Sequence, residues 1–312
     1  MKLFTAIAVV LIVAINGNVI EYLVSYGYPT PLILVFAGAL SFLINSAICI
    51  FKNQSILPKS WRLQGLRLIN NGLSMFLILE SYKYLSAGSV GLVQRTDIPF
   101  IIMLSFLYGE KRTSMQFWLS IWTVLMIIFL IIDARFINEE PLGFVFAFAG
   151  VMLLSLSYLL VKKSAFIESP YVIGNVNCLG YIAVGTALMF AKGSSWHIAF
   201  EHLWAFIILG ILLTLIYIVA MPLYKWFTAE RARFPFIIGA LATIALEMII
   251  ENKWFMSSHI ALVILISGMI ATISLNANTP ETLFNVLGKV KTKVTGKLTV
   301  SEAVKNESTI SN

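Results

Sequence analysis

Tyr82-Lys83-Tyr84-Leu85-Ser86-Ala87 returns 142 residues later as Tyr224-Lys225-Trp226-Phe227-Thr228-Ala229. Each block opens onto an apolar run that ends in a short charged joint. The joints are Glu110-Lys111-Arg112 and, 141 residues further on, Glu251-Asn252-Lys253. Another apolar run, 114–133 or 256–275, then closes each half. Two matches at nearly one offset, both at the edges of apolar runs, mark an internal repeat.

The bulk composition says what the runs are for. Of 312 residues, 59% are hydrophobic and 12% charged, with a mean hydropathy of +0.89. A soluble domain carries about 45–50% apolar and about 25% charged residues, so this excess must face lipid. A bilayer core takes about 20 helical residues and leaves no partner for stray backbone groups. Ten runs fit that ruler: 3–24, 31–51, 63–82, 87–108, 114–133, 143–163, 171–191, 201–224, 228–250 and 256–275. The repeat offset covers five of them, an odd number, so the second copy enters the membrane from the opposite side. The expected fold is an all-α, polytopic membrane protein of ten transmembrane helices built as two inverted five-helix repeats. These are residues 1–137 and 138–275, followed by a polar tail at 276–312. Inverted repeats are the usual frame of alternating-access transporters, with the substrate near the midplane.

Lys and Arg set the orientation. With the N-terminus inside, twelve fall on inner joints, Arg67 and Arg233 among them, against four on outer joints; five more lie in the tail. Both termini are thus expected in the cytoplasm and the protein in the cell (inner) membrane. The first run resembles a secretory signal, but Asn16-Gly17-Asn18 follows without a small-x-small cleavage pattern, so it is read as a span. The Lys-rich tail suits contact with anionic headgroups.

Several functions are excluded by what the chain lacks. The net charge of +7 is spread over joints and tail, which speaks for orientation and against nucleic acid. Cys49 and Cys178 sit inside apolar runs, and His197, His202 and His259 have no ligand spacing, so no disulfide or metal site is expected. No phosphate-cradling loop, nucleophile with its base or cofactor motif appears. We therefore expect no catalytic residue and no cofactor. An intramembrane enzyme and a non-transporting scaffold are the rival readings. A proton as coupling ion and a homodimer are both compatible with the sequence.

Arg95 and Asp97 lie near the middle of the fourth run, where each charge costs about 2.5–3.5 kcal/mol to insert. They are the first candidates for a substrate site. Two residues apart, they would face different sides of a regular helix, but Pro99 removes the hydrogen bond to the Arg95 carbonyl and permits a kink. At the repeat offset their counterparts are Ile237 and Gly239, which places the charge on one half only. Arg95 would then hold a carboxylate and Asp97 an amine, the signature of an amino-acid-like solute. A sugar phosphate or nucleotide sugar would need more than one midplane cation. Uncharged candidates for the same lining are Asn16, Asn18, Asn70, Asn71, Tyr158 and Tyr217, beside Ser74, Ser155, Ser157 and Thr214. Glu21, Glu80 and Glu247, near the outer ends of spans, are the carboxylates that could carry a proton.

Tyr84-Leu85-Ser86-Ala87, Pro99 and Gly109-Glu110 together resemble the fourth-helix pattern of the drug/metabolite transporter superfamily, EamA-type branch. Phe227-Thr228-Ala229 with Glu251 repeats it more loosely, and Asn16-Gly17-Asn18 is similar to that family's first-helix glycine region. The resemblance covers about residues 3–275 and implies ten helices, a central cavity between the halves and movement, often outward, of small metabolites. The family's first-helix tryptophan is absent, as is the arginine common early in its second helix, around Phe36-Ala37-Gly38.

Overall fold

The computed structural model describes residues 2–107, 114–132, 140–227, 229–250 and 267–268. Every regular element among the described residues is helical. In chain order they are α1 (Lys2–Ser25), α2 (Thr30–Phe51), α3 (Trp61–Ser81), α4 (Ala87–Gln94), α5 (Asp97–Leu107) and α6 (Ser114–Ile132). There follow α7 (Pro141–Ser164), α8 (Pro170–Lys192), α9 (Leu203–Trp226), α10 (Ala229–Ala232) and α11 (Phe234–Ile250). All lie within the unit 1–274. The tenth expected run apart from residues 267–268, the tail, and the joints at Glu110 and Glu251 lie outside the described residues.

Five helices are long and apolar enough to cross a membrane: Phe4–Ser25, Thr30–Phe51, Pro141–Val161, Pro170–Lys192 and Phe200–Trp226. The sequence predicts an interruption at Pro99 within 87–108 but an unbroken span at 228–250, and at the second the structure differs. Each is two helices, α4 with α5 and α10 with α11. The third run is one helix, but it carries Arg62, Arg67, Asn70, Asn71 and Glu80.

Local chemistry explains where the helices begin and end. Ser169 caps α8 by accepting from the Val172 N–H, with Pro170 at the first helical position. Gly193 stops the same helix in the left-handed region, at φ 58°. Ser86 caps α4 through the Ser89 N–H. Prolines also open α2 and α7.

The helices are apolar on the outside. Phe4, Ile7, Leu11 and Ile15 make an exposed stripe on α1, Leu66, Ile69 and Leu73 one on α3, and Trp204, Ile207, Ile211 and Leu215 one on α9. The spacing is that of one helix face. Asn45, Asn175, Asn177, Ser41 and Thr214 point inward and are buried. Water would reverse that arrangement; lipid favours it.

α2 packs on α8, α3 on both α7 and α8, and α9 on both α1 and α2. α1 also packs on α11, and α7 on α5. The α3–α8 crossing is the tightest. A Cβ on Gly180 would lie 2.1 Å from the Leu68 carbonyl oxygen, and one on Gly72 would lie 2.5 Å from the Gly180 carbonyl oxygen. Both obstacles are backbone, so a methyl group there must push the helices apart. Gly180→Ala is expected to cost about 2 kcal/mol, read as a lower unfolding midpoint in detergent. Gly65→Ala, on the same α3 but with open space around it, should leave the midpoint unchanged.

Two apolar cores form at opposite ends of the bundle. One gathers Leu23, Ile33, Leu79, Leu85 and Phe206, the other Val9, Val161, Ile173, Met221 and Ala232.

Candidate functional site

Both broken spans break beside a charge and just before a proline. In the first, Arg95 and Thr96 separate α4 from α5, and their N–H groups turn to the carbonyls three residues back, at Leu92 and Val93. In the second, Arg233 separates α10 from α11. The local sequences are Asp97-Ile98-Pro99 and Arg233-Phe234-Pro235. A proline is tolerated in the first turn of a helix, where its missing N–H has no intrahelical partner to lose. Each proline therefore opens a new helix, and the charge two residues earlier falls at the break.

The two breaks meet. Arg233 Nε and Nη2 both donate to Asp97 Oδ2, each at 2.6 Å, and both residues are almost fully buried. The Arg233 guanidinium also lies 3.6 Å above the Phe236 ring and 4.1 Å from that of Tyr158. Arg95 is held differently. Its Nε donates to the Gly91 carbonyl (3.2 Å) and its Nη2 to Gln94 Oε1 (3.1 Å), while Nη1 has no partner. It is 1% exposed.

Between the apolar cores lies a cavity of about 130 Å³, lined by α1, α3, α4, α7, α8, α9 and α11 together with Arg95 and Arg233. Of the residues named from the sequence, Arg95, Asn16, Asn71, Tyr158 and Tyr217 line it. Tyr217 shares a 2.8 Å hydrogen bond with Tyr181, also on the wall. The Asn71 carbonyl oxygen is buried without a partner. Asp97 stands behind the wall, bound to Arg233. Asn18 spends its amide on the Ala14 carbonyl (2.8 Å), and Asn70 bonds the Leu153 carbonyl and Ser157 Oγ, both at 2.6 Å. Ser74 and Ser155 likewise tie helices, through the carbonyls of Gly150 and Asp97. Those side chains hold the bundle and leave the cavity alone.

The lining has an internal order. Seven pairs of its residues stand 142 positions apart: Asn16 with Tyr158, Asn71 with Leu213, Met75 with Tyr217, Ile78 with Ala220, Tyr82 with Tyr224, Gly91 with Arg233, and Gln94 with Phe236. The offset first read from two short blocks thus runs through the cavity wall.

The sequence-based expectation of charge on one half alone is corrected here. Extrapolating the offset from Arg95 and Asp97 reaches Ile237 and Gly239, but the second charge sits earlier, at Arg233. The reason is length. α4 and α10 begin at the equivalent alanines Ala87 and Ala229, yet α10 has four residues against eight, so the second break comes one turn sooner. Arg67 was likewise assigned to an inner joint. It is fully buried, donating to Gln64 Oε1 through Nη1 and to Asn177 Oδ1 (2.7 Å) through Nη2, and Asn177 is on the cavity wall. Signals for both were present. Arg233 shares the charge-x-Pro pattern of Asp97, and Arg67 lies four residues before Asn71, on one helix face.

The carboxylates considered for proton transfer have structural partners. Glu21 accepts from the Ala87 N–H at 3.1 Å. Glu80 accepts from Thr30, from Lys83 at 2.7 Å, and stands 3.5 Å from Lys192. It joins α2, α3 and α8 at one end of the bundle. The Glu247 side chain lies outside the described residues. Among the described residues no group of His, Cys, Asp or Glu is placed to hold a metal ion.

No family model and no curated protein matches this chain. Solved structures do. One, titled only "Crystal structure of protein", superposes with a TM-score of 0.63 over 89% of this chain and 98% of its own, at 15% identity. The fold is therefore shared with a known structure, and the likeness extends no further than fold.

Proposed function

We propose that this chain is a secondary carrier that moves a small anionic metabolite across the membrane by alternating access. In this reading ten spans form two oppositely threaded five-helix halves around the cavity, with both termini in the cytoplasm. The observation that carries it is the set of seven lining pairs at one offset. A cavity walled by equivalent positions of two halves is what a carrier needs to expose one site to each side in turn.

The helix packing supports the same exchange. Swapping α1 with α7, α2 with α8, α3 with α9, and α4–α5 with α10–α11 turns the α3–α7 and α3–α8 contacts into α9–α1 and α9–α2. It turns α1–α11 into α7–α5 and leaves α2–α8 unchanged. The resemblance to the drug/metabolite transporter superfamily points the same way. The charge balance favours an anion: Asp97 is not among the lining residues and one of its oxygens is held by Arg233, while Arg95, on the wall, keeps an unpartnered Nη1.

Counterflow in proteoliposomes tests the proposal. Vesicles loaded with a panel of carboxylates, amino acids, sugar phosphates and neutral sugars should accumulate labelled solute from at least one anionic member. An enzyme or scaffold would exchange none, and monodisperse protein that exchanges nothing across the panel would overturn the reading.

A further inference from the structure

We propose that the cavity takes a small hydroxy acid: one carboxylate, at least one hydroxyl, and no second charge. This deepens the carrier reading and rests on it for transport, though not for binding. Three features of the cavity define the class. First, among the described residues that line it, one cation, Arg95, has a buried N–H group without a partner. The Arg233 guanidinium is paired with Asp97 and covered by the faces of Phe236 and Tyr158, and Arg67, bonded to Gln64 and Asn177 but with its Nε unpartnered, is not among the lining residues. The unpartnered Arg95 group is at Nη1, and a carboxylate is the natural acceptor for a guanidinium edge. Among the described lining residues there is no carboxylate to receive an ammonium group, so a zwitterion would leave its cation without a protein counter-charge.

Second, Asn71 presents a buried oxygen with no donor. A buried acceptor left unsatisfied is costly, and a ligand hydroxyl removes the cost. The ligand therefore needs one neutral donor besides its carboxylate.

Third, about 130 Å³ is close to the roughly 150 Å³ of an engineered cavity that holds a single benzene ring. Solutes of six or seven non-hydrogen atoms fit. The remaining wall, with Tyr158, Tyr181, Tyr217 and Phe236, suits the uncharged carbon skeleton.

The test uses the purified full-length protein with L-lactate and D-glycerate as probes. Alanine and serine are the zwitterionic controls, glycerol the neutral one and malonate the dianionic one. Binding is read by saturation-transfer NMR and by thermal stabilisation. Lactate and glycerate should bind saturably, and each control at least about 10-fold more weakly, as expected for loss of one charge-assisted hydrogen bond or burial of an unpaired charge. Arg95→Gln should weaken glycerate by about 30-fold on the same grounds. Asn71→Leu should weaken lactate but leave propionate, which lacks the hydroxyl, unchanged. Should Arg95→Gln not purify as a monodisperse protein, the Asn71→Leu comparison decides, since it changes no charge. Alanine binding as well as lactate, or Asn71→Leu weakening propionate equally, would overturn the assignment. Counterflow of some larger anion without binding of the probes would overturn the hydroxy-acid class and leave the carrier. Probe binding without counterflow of any solute would do the reverse.

Discussion

Arg95→Leu is expected to make the protein more stable and far less active. The guanidinium is 1% exposed, holds only the Gly91 carbonyl and Gln94, and leaves Nη1 without a partner. Burying a charge with incomplete hydrogen bonding is unfavourable, and replacing it with a well-sized apolar side chain is often neutral or stabilising. We expect a gain of about 1 kcal/mol in unfolding free energy, read in detergent, since the lost hydrogen bonds offset part of the gain. If the chain is the carrier proposed above, transport should fall by at least about 100-fold, because the group lost is the one assigned there to the solute's charge. A destabilised Arg95→Leu protein would show that the side chain serves the fold, and unchanged counterflow would remove it from the site.

The second large effect has the opposite sign for stability. Asp97→Asn leaves Arg233 and Arg95 buried without an anion between them, and breaking a buried pair by removing one partner costs about 3–5 kcal/mol. Arg233→Gln alone should cost a similar amount, since it strands Asp97. Asp97→Asn with Arg233→Gln together should recover all but about 1 kcal/mol, because two neutral amides can bond to each other. Unfolding midpoints for the two single variants and the double variant measure the coupling directly. Additive losses would mean that the 2.6 Å contacts contribute nothing specific.

Most of the scaffold could be read from residue patterns. Nine of the ten apolar runs coincide with helices among the described residues, and their ends follow local signals such as Ser169-Pro170 and Gly193. Five of the eight proposed lining residues reach the cavity. The misses share one physical cause. Hydropathy and offset arithmetic treat a span as a uniform rod, so Arg67 and Arg233 fell into joints and Asp97 into the open site. Where the backbone breaks, as at Arg233, a side chain near one end of a span is carried inward, and a charge in its middle is claimed by another break; in the unbroken α3 it is the helix face that turns Arg67 inward, onto Asn177. Pro99 did announce the first interruption. The second was hidden because α10 is one turn shorter than α4. Asn18 and Asn70 show the other limit. Whether an amide faces solute or a neighbouring carbonyl depends on helix rotation, which a lone asparagine does not reveal.

The repeat offset gives the Asp97–Arg233 contact a twin. Its counterpart residues are Gly239 and Gly91, and a Cβ on Gly91 would lie 3.7 Å from that of Ala240, the neighbour of Gly239. One seam of the bundle is therefore fastened by opposite charges and the matching seam only by small apolar groups. If the halves rock, the two doorways are unequal: parting the first strips a carboxylate from its guanidinium in a low-dielectric interior, while parting the second merely separates hydrocarbon. In the carrier proposed above, with its N-terminus in the cytoplasm, the fastened seam would lie nearer that side, and an empty carrier would rest with its looser doorway toward the exterior.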